Sequence, residues 1–207
     1  VIMWGWGVMN QVAIQEAAAI RFPMDKFIGV WWSASENDVL PAGDAADGYK
    51  AITMHGVSDD FPVYDDLEQY VYEPGLAAGD GTNPGTVLYN RGMQAAMLKV
   101  EAAKVAQRMH DTKDITPAMM RDGLENLKIT EEILAENGLE GFMPTFEVTC
   151  ENHGPPGLGA IQQWDAEAEE WSLITDFIPA DREIVDPLIE EDSMKYAEEN
   201  GIELRCD

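Results

Sequence analysis

Basic side chains are scarce in this chain. Thirteen Lys and Arg stand against thirty-nine Asp and Glu, a formal net charge of −26 over 207 residues. Phosphate binding depends on clustered Lys and Arg, so this balance excludes nucleic acid and anionic membrane surfaces as partners. Cysteine is nearly absent as well. Cys150 and Cys206 are too few for a disulfide scaffold, and their spacing matches no zinc pattern. Two readings stand for them: unrelated thiols, or one bridge in an oxidising compartment that pins the C-terminal tail. No window holds the roughly 20 apolar residues needed to span a bilayer. Residues 1–7 lack the basic flank and long apolar stretch of a signal peptide.

Enzyme signatures are missing too. The chain contains no nucleophile elbow, no phosphate-binding Walker loop, no G-x-G-x-x-G and no H-E-x-x-H. Gly5-Trp6-Gly7 lacks a third glycine, and its tryptophan would crowd a pyrophosphate. His55, His110 and His153 lie far apart in the chain, and none has a positioned partner legible in the sequence. The pairs Asp59-Asp60 and Asp65-Asp66 lack the alternating ligands and glycine of a calcium loop, so they read as solvated surface. No catalytic residue, metal ligand or cofactor is expected.

What is present begins with the acidity. Acidic side chains keep a protein in solution, most effectively where salt screens their mutual repulsion. The length suits one large domain or two small lobes. Strand and helix signals alternate in the first third, as in parallel α/β units. Residues 1–4 read as a strand, with Asn10 capping a helix to about residue 21. Strands are expected over 26–32 and 49–55, with a short helix between them opening at 33–36. Helices follow over 61–72, 87–110 and 117–127, with a short one from 130. In the 87–110 helix Met93, Met97, Val100 and Ala103 form one apolar stripe, and Leu98 and Val105 a second. The last third predicts an extended segment at 146–150, a hairpin over 161–164 and 171–177, and an amphipathic helix over 184–200 ending at Gly201. A chain seldom starts inside its own core, so the apolar start predicts further residues upstream.

The tryptophans carry the functional signal. Trp4 and Trp6 follow the first strand, and Trp31 and Trp32 follow the second. In open α/β sheets, the carboxyl ends of neighbouring parallel strands meet at the ligand crevice. Two aromatic pairs there make an apolar wall with indole N–H groups available for orientation. Alternation along a strand sends neighbouring side chains opposite ways, so part of the set is equally open to core packing.

An ordered set of segments sharpens this reading. Trp4-Gly5-Trp6-Gly7-Val8-Met9-Asn10, Phe27-Ile28-Gly29-Val30-Trp31-Trp32-Ser33 and Ala42-Gly43-Asp44-Ala45-Ala46-Asp47-Gly48-Tyr49 come first. Tyr89-Asn90-Arg91-Gly92, Leu124-Glu125-Asn126-Leu127, Cys150-Glu151-Asn152-His153-Gly154 and Ile161-Gln162-Gln163-Trp164-Asp165 follow. The series resembles the second half of periplasmic substrate-binding proteins of the branched-chain amino-acid (Leu/Ile/Val) family, across essentially the whole chain.

The resemblance implies an α/β type I periplasmic-binding fold: two Rossmann-like lobes, three crossover strands, and a ligand closed between the lobes by a hinge. Residues 1–55 would belong to the C-terminal lobe and 56–150 to the N-terminal lobe. Residues 151–178 would return to the C-terminal lobe as a strand hairpin, and 179–207 would form the final helix and tail. The missing N-terminal half of the same protein would supply the remainder. It further implies the periplasmic, non-enzymatic solute-binding component of an ABC transporter, handing a small molecule to a membrane permease. Trp6, Trp31, Trp32 and Tyr89 are the expected ligand contacts. A ligand-sensing receptor of the same fold and a non-catalytic assembly subunit are the alternatives. One departure matters: amino-acid-binding members carry an acid after the strand at 26–30, where Trp31 and Trp32 stand here, and the nearest acid is Glu36. A buried ammonium without a counter-charge is penalised by several kcal/mol in order of magnitude. Amino acid, amide, betaine and aromatic acid therefore all remain as candidate solutes.

Overall fold

The computed structural model of the protein describes residues 1–79, 83–150, 152–154 and 157–203. The chain divides into two compact units. One comprises Val1–Met97, Glu131–Pro144 and Gly159–Phe177; the other comprises Leu98–Thr130, Thr145–Leu158 and Ile178–Asp207.

The first unit is built on a mixed sheet. Strands β1 (Ile2–Met3), β2 (Ile28–Gly29) and β3 (Lys50–Thr53) run parallel, with Met3 beside Gly29 and Gly29 beside Ala51. Two antiparallel strands, β6 (Leu158–Asp165) and β7 (Glu170–Leu173), extend it in the order β1-β2-β3-β6-β7. The expected 161–177 hairpin is therefore present, with its acidic turn at 166–169 and a shorter second arm. The first two strands are shorter than expected. One-turn 3₁₀ helices at Met24–Lys26 and Trp31–Ser33 take up both ends of the 26–32 segment.

Helix α1 (Val8–Ala19) follows β1. Its N-cap is Gly7, not Asn10: Gly7 has φ 55°, a conformation that only glycine takes without strain, so the chain enters the helix there. Asn10 lies in the first turn with its side chain buried. The core beneath gathers Ile14, Phe27, Tyr49, Val87, Trp164 and Trp171, with Ala34, Ala46 and Ala51 filling the gaps. Tyr49 sits at its centre, edge-on to Phe27 at 5.3 Å and to Trp171 at 6.1 Å, and donates its hydroxyl to the Ser33 carbonyl at 2.9 Å. A Cβ at Gly29 would lie 2.1 Å from Tyr49 Oη, so glycine is what lets the tyrosine pass beneath β2.

Helix α2 (Glu36–Val39) opens at Ser35 with a capping box, and helix α3 (Val63–Leu67) continues as a π-helical turn over Glu68–Tyr72. Helix α4 (Val87–His110) has the expected limits. Its buried positions differ from the expected stripes: Val87, Asn90, Met97, Glu101, Ala102 and Ala106 are buried, while Val100 is exposed. Helix α6 (Glu131–Glu136) contributes Leu134 to the interior of the first unit.

In the second unit, helix α5 (Pro117–Glu125) starts as its sequence dictates. Pro117 occupies the first helical position, and Thr116 Oγ1 accepts from the Met119 N–H at 3.3 Å. Strands β4 (Lys128–Ile129) and β5 (Phe146–Glu147) pair antiparallel. Strand β8 (Ile178–Pro179) leads to helix α7 (Arg182–Asn200), capped by Asp181 and closed by Gly201 in the left-handed conformation. No residue of α7 is buried, and Ile184, Leu188, Ile189 and Tyr196 are all exposed. Cys150 is disulfide-bonded, and Cys206 lies outside the described residues.

Candidate ligand-binding site

Parallel pairing of β1 and β2 brings two loops side by side. Because Ile2 pairs with Ile28 and Met3 with Gly29, residues 4–6 leave the sheet next to residues 30–32. This is the carboxyl end of both strands, where an open α/β sheet builds its ligand crevice. A cavity of about 460 Å³ opens there, lined by Trp4, Gly5, Trp6, Met9, Trp31 and Trp32. That volume falls in the range of small-molecule pockets, roughly 300–1,000 Å³.

The indoles meet at steep angles. Trp4 and Trp31 stand edge to face at 5.9 Å and 75°, as do Trp31 and Trp32 at 6.4 Å and 63°, while Trp6 is tilted on Trp32 at 5.4 Å and 45°. Trp4 is 80% exposed, Trp6 61% and Trp32 50%, so large apolar faces meet solvent instead of core. Among the described residues, no charged side chain contributes to the lining.

A buried polar network holds the two loops together. Asn10 Nδ2 donates to the Trp32 carbonyl at 2.7 Å and to Asp38 Oδ1 at 3.0 Å. Ser33 Oγ lies 3.0 Å from both the Gly5 carbonyl and Asn10 Oδ1, one proton facing two acceptors. Asp38 Oδ2 accepts from the Ser35 N–H at 3.0 Å and its hydroxyl at 2.8 Å. Gly5 fits because a Cβ there would come within 2.6 Å of Asn10 Oδ1. Asn10, Ser33 and Asp38 escaped the sequence reading as site residues, since a polar residue beside a tryptophan carries no signature of its own.

The acid nearest the tryptophans in sequence is engaged elsewhere. The Glu36 carboxylate accepts from the Val87 N–H at 3.1 and 3.3 Å, capping α4 where the helix dipole favours an anion. Burial raises its pKa, and the backbone hydrogen bonds oppose that rise. Arg91, on α4, donates to the Trp31 carbonyl at 2.7 Å. Burial lowers the pKa of its guanidinium, with the Asp38 carboxylate pulling the other way.

Trp6, Trp31 and Trp32 thus come together, with Trp4 and Met9 joining them. Tyr89 stands apart from the cavity lining. Its hydroxyl is 2.6 Å from that of Tyr72, its ring packs on Tyr64 at 6.1 Å, and burial with its tyrosine neighbours raises its pKa. Tyr64 in turn hydrogen-bonds the Asn90 side chain and accepts from the Gly85 N–H. Among the described residues, no three His, Cys, Asp or Glu side chains converge as a metal site would require. No described helix is long and apolar enough to cross a membrane.

No family model matches the chain, and no curated protein matches it either. Solved structures do match. The whole chain superposes, with TM-score 0.91 and 37% identity, on 50% of a protein of the Pseudomonas fluorescens group named an ABC transporter permease. It shares 19% identity and a TM-score of 0.66 with a branched-chain amino-acid ABC transporter protein of Thermus thermophilus, solved with bound valine. That match covers 89% of this chain and 47% of the other. A leucine-binding protein of Thermotoga maritima matches at 12% identity and TM-score 0.58, covering 87% and 44%. The chain spans about half the length of these proteins, and its mixed α/β fold is that of type I periplasmic-binding proteins in part.

Proposed function

We propose that this chain is part of the solute-binding component of an ABC uptake system, exported to the periplasm and handing a small solute to a membrane permease. One observation carries the reading: a 460 Å³ cavity at the carboxyl ends of two parallel strands, walled by solvent-exposed indoles that a packed core would not leave open. The neighbours support it, since one is named a leucine-binding protein and another holds valine. Trp6, Trp31 and Trp32 make the contacts, and the Asn10–Ser33–Asp38 network fixes the walls before the solute arrives, which lowers the ordering cost of binding. No step of bond making or breaking is required of these residues.

A thermal-shift screen against amino acids, amides, betaines and aromatic acids tests the reading. A solute that binds only the native state raises the melting temperature, by an amount equivalent to about 2.7 kcal/mol at 100 times its Kd. Stabilisation by one class with millimolar or tighter affinity is the expected result. Silence across the panel would contradict it and favour a non-catalytic assembly subunit.

A further inference from the structure

The shape and chemistry of the tryptophan cavity narrow the class of solute it accepts. A flat aromatic ring is best held between two roughly parallel faces. Here the three close indole pairs are inclined at 75°, 45° and 63°, so the walls form a box. A box of π faces suits a compact, rounded group that touches several walls at once.

Charge selects further. A primary ammonium carries three N–H donors and needs acceptors for them once it leaves water. Among the described residues the lining side chains are indoles and the Met9 thioether, which offer no strong acceptor. Both neighbouring acids are committed, Glu36 to the head of α4 and Asp38 to Ser35 and Asn10. The Gly5 carbonyl already faces Ser33 Oγ, and the Trp31 and Trp32 carbonyls accept from Arg91 and Asn10. A cation without N–H donors avoids that penalty and is drawn to the negative face of each indole. The net charge of −26 raises the local concentration of any cation.

We infer that the box of Trp4, Trp6, Trp31 and Trp32 binds the quaternary ammonium group of a small solute. This inference rests on the solute-binding reading above and specifies its ligand. The methyl groups of the cation fill the apolar volume, and its positive charge rests on the π faces of the indoles.

The test is a fluorescence and calorimetric titration of the purified protein with choline. It runs beside 3,3-dimethylbutan-1-ol, the neutral isostere in which carbon replaces the quaternary nitrogen, and beside valine and benzoate. Choline is expected to bind at least about tenfold more tightly than the neutral isostere, the effect of roughly 1.4 kcal/mol of cation–π attraction. Trp6→Ala is expected to weaken choline about tenfold or more while Trp6→Phe weakens it less. Trp6 is 61% exposed, so either variant should fold, which its melting temperature verifies. Equal affinity for choline and its neutral isostere would overturn the cation assignment. Binding of valine or benzoate without choline would overturn it too, leaving solute binding intact. If none of the four compounds binds, the cation assignment falls, while the solute-binding reading stands or falls separately with the wider thermal-shift panel.

Discussion

Asn10 and Trp32 are joined by a hydrogen bond of 2.7 Å, from the side-chain amide of one to the main-chain carbonyl of the other. Twenty-two residues separate them in sequence, yet this contact ties the first turn of α1, directly after the loop that carries Trp6, to the turn that carries Trp31 and Trp32. Asn10 is fully buried, and its second donor is satisfied by the Asp38 carboxylate.

Replacing Asn10 with Ala leaves the Trp32 carbonyl and one Asp38 oxygen without this partner in a buried setting. A loss of about 2–4 kcal/mol is expected, from two broken bonds of which one is charge-assisted. Denaturant unfolding measures it. A loss below about 0.5 kcal/mol would show that the network does not hold the loops. Asn10→Asp should do worse than Ala, since it sets a second carboxylate against Asp38.

Gly29 is required by Tyr49. A Cβ at position 29 would meet Tyr49 Oη at 2.1 Å and the Ser33 Cβ at 2.8 Å. Gly29→Ala should destabilise the protein by about 3 kcal/mol, the upper range for overpacking. In a Tyr49→Phe background the same substitution should be milder by about 1 kcal/mol, because the clashing oxygen is gone. Additive losses in the double-mutant cycle would contradict the proposed contact.

His55 makes stability depend on pH. Its Nδ1 donates to the Gly56 carbonyl at 2.9 Å, its ring stacks on Phe142, and Nε2 has no partner among the described residues. Burial lowers its pKa from 6.5 to about 4, opposed by the Gly56 bond and aided by the nearby Arg91 charge. Below pH 6.5 the unfolded chain therefore binds a proton that the folded chain refuses. The stabilisation is complete above pH 6.5 and is lost as the pH falls towards 4. Between pH 7 and pH 5 the loss from this group is about 2 kcal/mol. Comparing the pH dependence of unfolding for the protein and for His55→Gln isolates it from the carboxylates. Identical pH slopes would contradict a neutral, buried His55.

Elements whose determinants are local were legible before the structure. Thr116-Pro117 announces α5, the long apolar spacing announces α4, and Gly201 closes α7 by taking a conformation other residues avoid. The limits of β1 and β2 were not legible. Whether Met24–Lys26 and Trp31–Ser33 extend a strand or turn into 3₁₀ helices depends on what lies beneath them, here Tyr49 reaching the Ser33 carbonyl. Asn10 reads as a cap because capping and burial use the same side-chain chemistry, and only the position of Asp38 and Trp32 decides between them. The tryptophan pairs stood out because their spacing after two strands is a local pattern. Tyr89 has no such context: its partners Tyr64 and Tyr72 lie on another helix, and no sequence interval predicts that meeting.

The central claim is that four of the six tryptophans form a solute site while Trp164 and Trp171 belong to the core. Two-dimensional ¹⁵N–¹H NMR resolves each indole N–H as its own signal, so titration with a bound solute tests this directly. The signals of Trp4, Trp6, Trp31 and Trp32 should move in step with saturation, and those of Trp164 and Trp171 should stay in place. Shifts confined to Trp164 and Trp171, or binding that moves no indole signal at all, would contradict the account.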